Sequence, residues 1–276
     1  MDTTEIQTLR REVDTLRDEN IALYNELTKQ NKTLCEEILK LQKEIHDRTE
    51  FLHQAIRFFN SKNLDIYLDR FAGMQTAEFI TENLLEAKSF KNRAQDGFCI
   101  SDEYVKYILS QTENFEGGLF LEFGVFYGRS IALIACAKPD KIIYGFDSFE
   151  GLPENFRDLP KGKFTLNGKI PNIPLANIRL IKGWFNETLP EFVKAHREPC
   201  AFIHVDCDLY SSTKTIFDNL KNQIVPGTVI AFDEYFNIHG WKKYEYKAFM
   251  EFVAEKNFEF EYIARTDYEQ VAVKIK

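Results

Sequence analysis

No proline occurs before Pro139 and no glycine before Gly73. A long opening stretch without either breaker is free to be continuously helical. No run approaches the roughly 18 apolar residues needed to span a membrane. The charged N-terminus also lacks the apolar core of a signal peptide. Positive charge is scarce: 35 Lys and Arg stand against 43 Asp and Glu, a formal net charge of −8. An extensive basic surface for nucleic acid is thereby excluded. Cys35, Cys99, Cys136, Cys200 and Cys207 form no C-x-x-C and no paired spacing. Reduced thiols in a cytoplasm are expected, not a disulfide framework. What is plentiful is apolar matter: 44% of the 276 residues are hydrophobic, and 25 are Phe. That is enough for one ordinary domain plus something extra.

The extra part is read in residues 1–50. Leu9, Val13, Leu16, Asn20, Leu23 and Leu27 alternate spacings of four and three. This is the a/d seam of a coiled coil, with Val13 and Asn20 at a and Leu9, Leu16 and Leu23 at d, a pattern that favours two parallel strands. Leu34, Ile38, Leu41 and Ile45 resume the seam after a one-residue shift past Gln30. The other reading is one amphipathic helix packed on its own domain. So polar a helix has little support except self-association, so a homodimer or higher oligomer is expected through it. Residues 51–114 carry helix-period apolar faces in "FLHQAIRFFN", "LDIYLDRF" and "DEYVKYILSQ", with Ser101 as a helix start. They read as a helical cap or oligomer contact.

From residue 115 the style changes to strands alternating with helices, as in "GLFLEFG", "RSIALIACAK" and "KIIYGFD". "CAFIHVD" and "GTVIAFDE" are further strands, and "FEFEYIAR" with "QVAVKIK" make a closing pair. This predicts an α/β fold with a doubly wound, mostly parallel sheet. Seven strands ending in an antiparallel hairpin resemble the class I (Rossmann-like) methyltransferase fold.

Glu122, Gly124 and Gly128 sit at the first strand-to-helix turn of that sheet, where glycine lets the backbone turn sharply and approach a ligand. Asp147 ends the next strand, at about the distance usual for a carboxylate that takes ribose hydroxyls. An acidic turn disfavours a pyrophosphate and suits a ligand with an ammonium group, such as S-adenosylmethionine. The plain alternative is a tight turn with Asp147 as a helix cap. In open parallel sheets ligands bind beyond the carboxyl ends of the strands. Asp206 ends one strand, and Asp233 with Glu234 ends the next. Such acids repel unless a cation sits among them or some are protonated, and a hard divalent ion such as Mg²⁺ suits an oxygen set. Strand alternation puts Asp206 and Asp208 on one face, with His204 deeper on that face and read as structural.

"LEFGVFYGRS", "YGFDSFEGLPE", "GWFNETLP", "HVDCDLYSST" and "AFDEY" follow one another in this order. Together they resemble the TylF/MycF family, the macrocin O-methyltransferase-like group of metal-dependent sugar O-methyltransferases, over residues 115–276. The resemblance implies a cytoplasmic enzyme that moves a methyl group from S-adenosylmethionine to a sugar hydroxyl, on a nucleotide-linked sugar or a glycosylated natural product. It implies that Glu122, Gly124, Tyr127 and Ser130 bind the cofactor, with Asp147, Ser148, Gly183, Trp184 and Asp206. Asp206, Asp233 and Glu234 match the metal ligands, although many relatives have Asp where Glu234 stands. Asp208 matches the general base, with His239 as its rival. The long segment 154–174, with Arg157, Lys161, Lys163 and Lys169, has the length of a lid. Two other readings remain: a coiled-coil scaffold on a methyltransferase fold, and a D-x-D glycosyltransferase, in which the glycine turn and Asp147 have no role.

Overall fold

The computed structural model describes scattered positions between 30 and 49, and residues 63–91, 101–112, 115 and 117–276. The chain divides into two units, Met1–His46 and Asp47–Lys276. The heptad seam of residues 1–50 lies outside the described residues, apart from scattered helical positions, as does the segment 51–60.

Helix α1 spans Asn63–Asn83, strand β1 Lys88–Phe90 and helix α2 Asp102–Ser110. Ser101 caps α2 as its sequence implies: its Oγ accepts the Tyr104 N–H at 3.3 Å, and Asp102 and Glu103 sit in the first turn, where the helix dipole favours negative charge. Then come β2 (Leu119–Phe123), α3 (Arg129–Ala137), β3 (Ile143–Asp147), β4 (Ile178–Lys182), α4 (Phe185–Ala195) and β5 (Cys200–Val205). The chain continues with α5 (Tyr210–Leu220), β6 (Val229–Phe232), a 3₁₀ turn at Trp241–Lys243, α6 (Glu245–Lys256), β7 (Phe260–Thr266) and β8 (Val271–Ile275).

The strands form one sheet in the order β4-β3-β2-β5-β6-β8-β7-β1. All pairs are parallel except those of β8, which runs antiparallel to both β6 and β7. The sheet therefore has eight strands, where seven were expected. The additional one, β1, lies in a stretch read as helical and pairs with β7 from Lys88↔Ala264 to Phe90↔Thr266. A three-residue strand opening on lysine suits the outer edge of a sheet, where longer apolar strands invite association.

β2 is buried at every position, which is why its sequence reads as a continuous apolar run. Leu119, Leu121 and Phe123 face a core shared with Ile203, Val205, Ile230 and Phe232 and with residues of α4, α5 and α6. Phenylalanine fills that layer: the rings of Phe217 and Phe252 stack 4.7 Å apart, and Phe232 lies 5.2 Å from Phe249. Burying each such ring contributes about 1.5–3 kcal/mol. The opposite face carries Phe120, Glu122, Phe202 and His204 by alternation. Gly145 is paired with Glu122, and a Cβ on it would come 2.5 Å from Ile131 of α3, so α3 covers this second face closely.

Candidate active site

β2 lies between β3 and β5. The chain leaves β2 toward β3 and β4, then returns on the other side as β5 and β6. The carboxyl ends of β2 and β5 thus flank the point where the winding reverses, which opens a crevice for a ligand. Backbone bonds extend the ladder into the loops there. The Gly124 N–H donates to Phe146 O at 3.0 Å, Asp206 N–H to Phe123 O at 2.9 Å, and Asp233 N–H to Val205 O at 2.9 Å. Gly124, at φ 92°, crosses so close to the β5 end that a Cβ would lie 1.6 Å from the Asp206 carbonyl oxygen.

Four acids of the β5 and β6 ends meet in this crevice. β5 stops at Val205, so strand alternation does not set the direction of Asp208. Asp208 instead occupies a one-residue turn at φ 64°, closed by Leu209 N–H to Cys207 O at 2.6 Å. This is the strained form of the γ-turn. Burial, and then the Asp233 charge, push Asp208 up from 3.8 to about 7. Asp206 is raised well above the ordinary range by burial and by Asp233 and Asp208, in that order. Burial also raises Asp233, and it raises Glu234 well above the usual range together with Asp208.

A fifth acid comes from elsewhere. Glu245 opens α6 and is fully buried. Its Oε1 accepts the Cys207 N–H at 3.4 Å and its Oε2 the Glu234 N–H at 3.3 Å. One carboxylate therefore ties the Asp206–Asp208 turn to the Asp233–Glu234 loop. Glu269, on the β7–β8 turn, is raised to about 8 by burial and then by Asp233, with the Arg157 charge opposing. Arg157, from the 154–174 segment, also lowers Asp208.

On the α3 face, Glu122 and His204 are register partners in β2 and β5, and both side chains are buried. Glu122 Oε1 accepts Ser130 Oγ–H at 3.0 Å, and its Oε2 lies 3.0 Å from His204 Nδ1. A ring nitrogen of His204 and carboxylate oxygens of Asp206 and Asp233 all lie within 4.8 Å of one another. Glu234 falls outside that set of three. His239 is exposed on the loop after β6.

The residues expected around a cofactor are spread along the same rim. Asp147 is occupied by the backbone: Oδ2 accepts the N–H groups of Val125 and Phe126 at 2.9 and 2.8 Å, and Oδ1 that of Phe149 at 2.7 Å. It fixes the turn after β2. Ser148 Oγ accepts the Glu150 N–H at 3.1 Å. Tyr127 is 61% exposed, its ring 4.1 Å from that of Phe126. Gly183, at φ 143°, precedes the half-buried Trp184 at the start of α4. Gly128 leaves room for the 154–174 segment, since a Cβ there would lie 2.1 Å from Ile173 Cδ1. Ser211 Oγ–H donates to Glu154 Oε1 at 2.5 Å, fastening the start of that segment to α5.

Residues 121–235 match the family model of a methyltransferase domain, and residues 3–115 that of a domain of unknown function. The calicheamicin methyltransferase CalS11 superposes with a TM-score of 0.53 at 17% identity, over 78% of this chain and 94% of that one. This is the class I methyltransferase fold. A stretch of 141 residues is 28% identical to the 8-demethyl-8-(2,3-dimethoxy-alpha-L-rhamnosyl)-tetracenomycin-C 4'-O-methyltransferase of Streptomyces olivaceus. It takes in 43% of this chain and 53% of that enzyme, so the chain matches about half the length of this curated relative. The O-methyltransferase NovP is 23% identical, with a TM-score of 0.49 over 63% of this chain and 78% of its own.

Within the methyltransferase fold, sequence reasoning missed Glu245, Glu269 and the place of His204 beside the acids. Glu245 carries no signal of its own, since an acid in the first turn of a helix is ordinary. His204 had one: it stands two residues before Asp206 on a strand, opposite Glu122.

Proposed function

We propose that this chain transfers the methyl group of S-adenosylmethionine to a sugar hydroxyl, with help from a divalent cation. The single observation that carries the reading is the meeting of Asp206, Asp208, Asp233 and Glu234 at the reversal point of a methyltransferase sheet. The identity to a rhamnosyl 4'-O-methyltransferase supports a sugar as acceptor. The donor set fits a cation, because Glu234 Oε2 and His204 Nε2 are buried without a hydrogen-bond partner among the described residues, and the acids beside them repel one another. Asp206, Asp233 and Glu234 would hold the ion, which when bound supplies a Lewis acid that makes a hydroxyl easier to deprotonate.

Asp208 serves as the base. Its carboxylate is buried, and burial with the Asp233 charge raises its proton affinity, which suits it to take a hydroxyl proton. Glu122, Gly124, Ser130 and the turn fixed by Asp147 shape the cofactor side, with Trp184 offering a ring face to the adenine. The 154–174 segment covers the acceptor and brings Arg157 toward it. Among the described residues no helix is long and apolar enough to cross a membrane. The Cys200 and Cys207 thiols, which form no disulfide, fit a cytoplasmic setting. Residues 1–50 join copies as a coiled coil, which light scattering on the full chain tests: a monomer removes that part.

The deciding experiment is methyl transfer from labelled S-adenosylmethionine to a panel of nucleotide sugars and glycosides, with and without EDTA. Transfer lost with EDTA and restored by a divalent ion is expected. EDTA-resistant transfer removes the cation, and failure to bind S-adenosylmethionine in calorimetry removes the enzyme.

A further inference from the structure

His204 is 1% exposed, yet its Nε2 has no hydrogen-bond partner among the described residues. Leaving such a group empty-handed costs about 1–3 kcal/mol. Its other nitrogen is fully committed, because Nδ1 faces Glu122 Oε2 at 3.0 Å. Ser130 donates to the second oxygen of Glu122, so that carboxylate is an acceptor on both sides and Nδ1 carries the proton. In the neutral ring Nε2 is then left with a lone pair. Burial opposes a charged ring, but the Glu122 and Asp233 charges raise its affinity for a proton there and favour a metal cation in the proton's place. A carboxylate behind a histidine, fixing its tautomer and turning the free nitrogen outward, is how proteins prepare a histidine for a metal.

The register supplies the rest. His204 pairs with Ala231 across β5 and β6. Asp206 and Asp233 each follow two residues on, past the ends of β5 and β6. A ring nitrogen of His204 and one carboxylate oxygen each of Asp206 and Asp233 lie within 4.8 Å of one another, and Nε2 is the nitrogen that Glu122 leaves available. Three ligands about 2.2 Å from a common ion lie at most about 3.8 Å from one another, so closing on one requires each donor atom to move inward by about half an ångström.

We propose that His204 Nε2 is a ligand of the cation site, oriented by Glu122, and that the site takes a first-row transition ion such as Mn²⁺ in preference to Mg²⁺. The inference rests on the cation-assisted reading above. Mg²⁺ keeps oxygen ligands and sheds water reluctantly, whereas imidazole suits the transition ions. His204 would join the carboxylates of Asp206, Asp233 and Glu234, and a six-coordinate ion would keep positions open for a substrate oxygen.

The test is pulsed electron paramagnetic resonance of Mn²⁺ on the purified full chain, prepared with ordinary and with ¹⁵N-labelled histidine. An imidazole ¹⁴N modulation that changes with the label is expected. His204→Gln abolishes it and weakens Mn²⁺ binding at least about tenfold, while His239→Ala retains it. In competition Mn²⁺ binds at least about tenfold tighter than Mg²⁺. Bound Mn²⁺ with no histidine nitrogen overturns the inference and leaves the cation reading standing. No Mn²⁺ binding by the unmutated chain overturns both. The isotope comparison uses the unmutated chain, so it decides the matter even where His204→Gln does not fold.

Discussion

Replacing Asp208 by Asn removes one buried charge without disturbing the turn that carries it. Asp208 is 9% exposed and sits at φ 64°, a conformation that Asn tolerates better than most residues. Its carboxyl is raised from 3.8 to about 7, by burial first and by the Asp233 charge second. A carboxyl raised on folding contributes stability at low pH, below its unfolded value, and that contribution is lost as pH rises through the folded value. The shift is about 3 units, and at 1.36 kcal/mol per unit the whole effect is about 4 kcal/mol. About 2–3 kcal/mol of this falls between pH 5 and pH 8. Asn carries no charge at any pH. In EDTA, Asp208→Asn should therefore gain on the unmutated protein by that amount between pH 5 and pH 8, about 5–10 °C in melting temperature for a unit of this size. Thermal unfolding by circular dichroism at pH 5, 6.5 and 8 measures it. Parallel pH curves, or a variant that loses ground at pH 8, refute the burial argument.

The same variant should bind S-adenosylmethionine normally and lose about 10²–10⁴-fold in turnover, read by labelled methyl transfer; a near-normal rate shifts the base to His239. Glu245→Ala leaves the Cys207 and Glu234 N–H groups without their acceptor and should cost about 2–4 kcal/mol in urea unfolding, with Glu245→Gln recovering part of it. Gly124→Ala forces a Cβ to within 1.6 Å of the Asp206 carbonyl at a φ of 92°, so it should abolish stable folding or lower the melting temperature by more than 10 °C, roughly the effect of 3 kcal/mol or more. Addition of Mn²⁺ should raise the melting temperature more at pH 8 than at pH 5.5, because protons held by Asp206, Asp208 and Glu234 compete with the ion; a rise larger at the lower pH contradicts this.

Alternating strands and helices were legible because each element is long enough to show its period and is buried on the faces that period marks. β1 was not, since three residues carry no period and their extended state comes from the exposed edge of β7. At the site, the ends of β5 and β6 were legible as acids closing apolar runs. The expectation that a spacing of two places Asp206 and Asp208 on one face rested on a strand that in fact stops at Val205. The two still interact, through a γ-turn that nothing in "DCD" announces. Other relations at the site join residues far apart in sequence. Glu122 meets His204 across 82 positions, and Glu245 meets Cys207 across 38. Strand register sets the first and the docking of α6 the second. A histidine two residues behind a strand-end aspartate is a core residue or a ligand depending on what stands opposite it. Here Glu122 stands opposite it, and that pairing leaves Nε2 free.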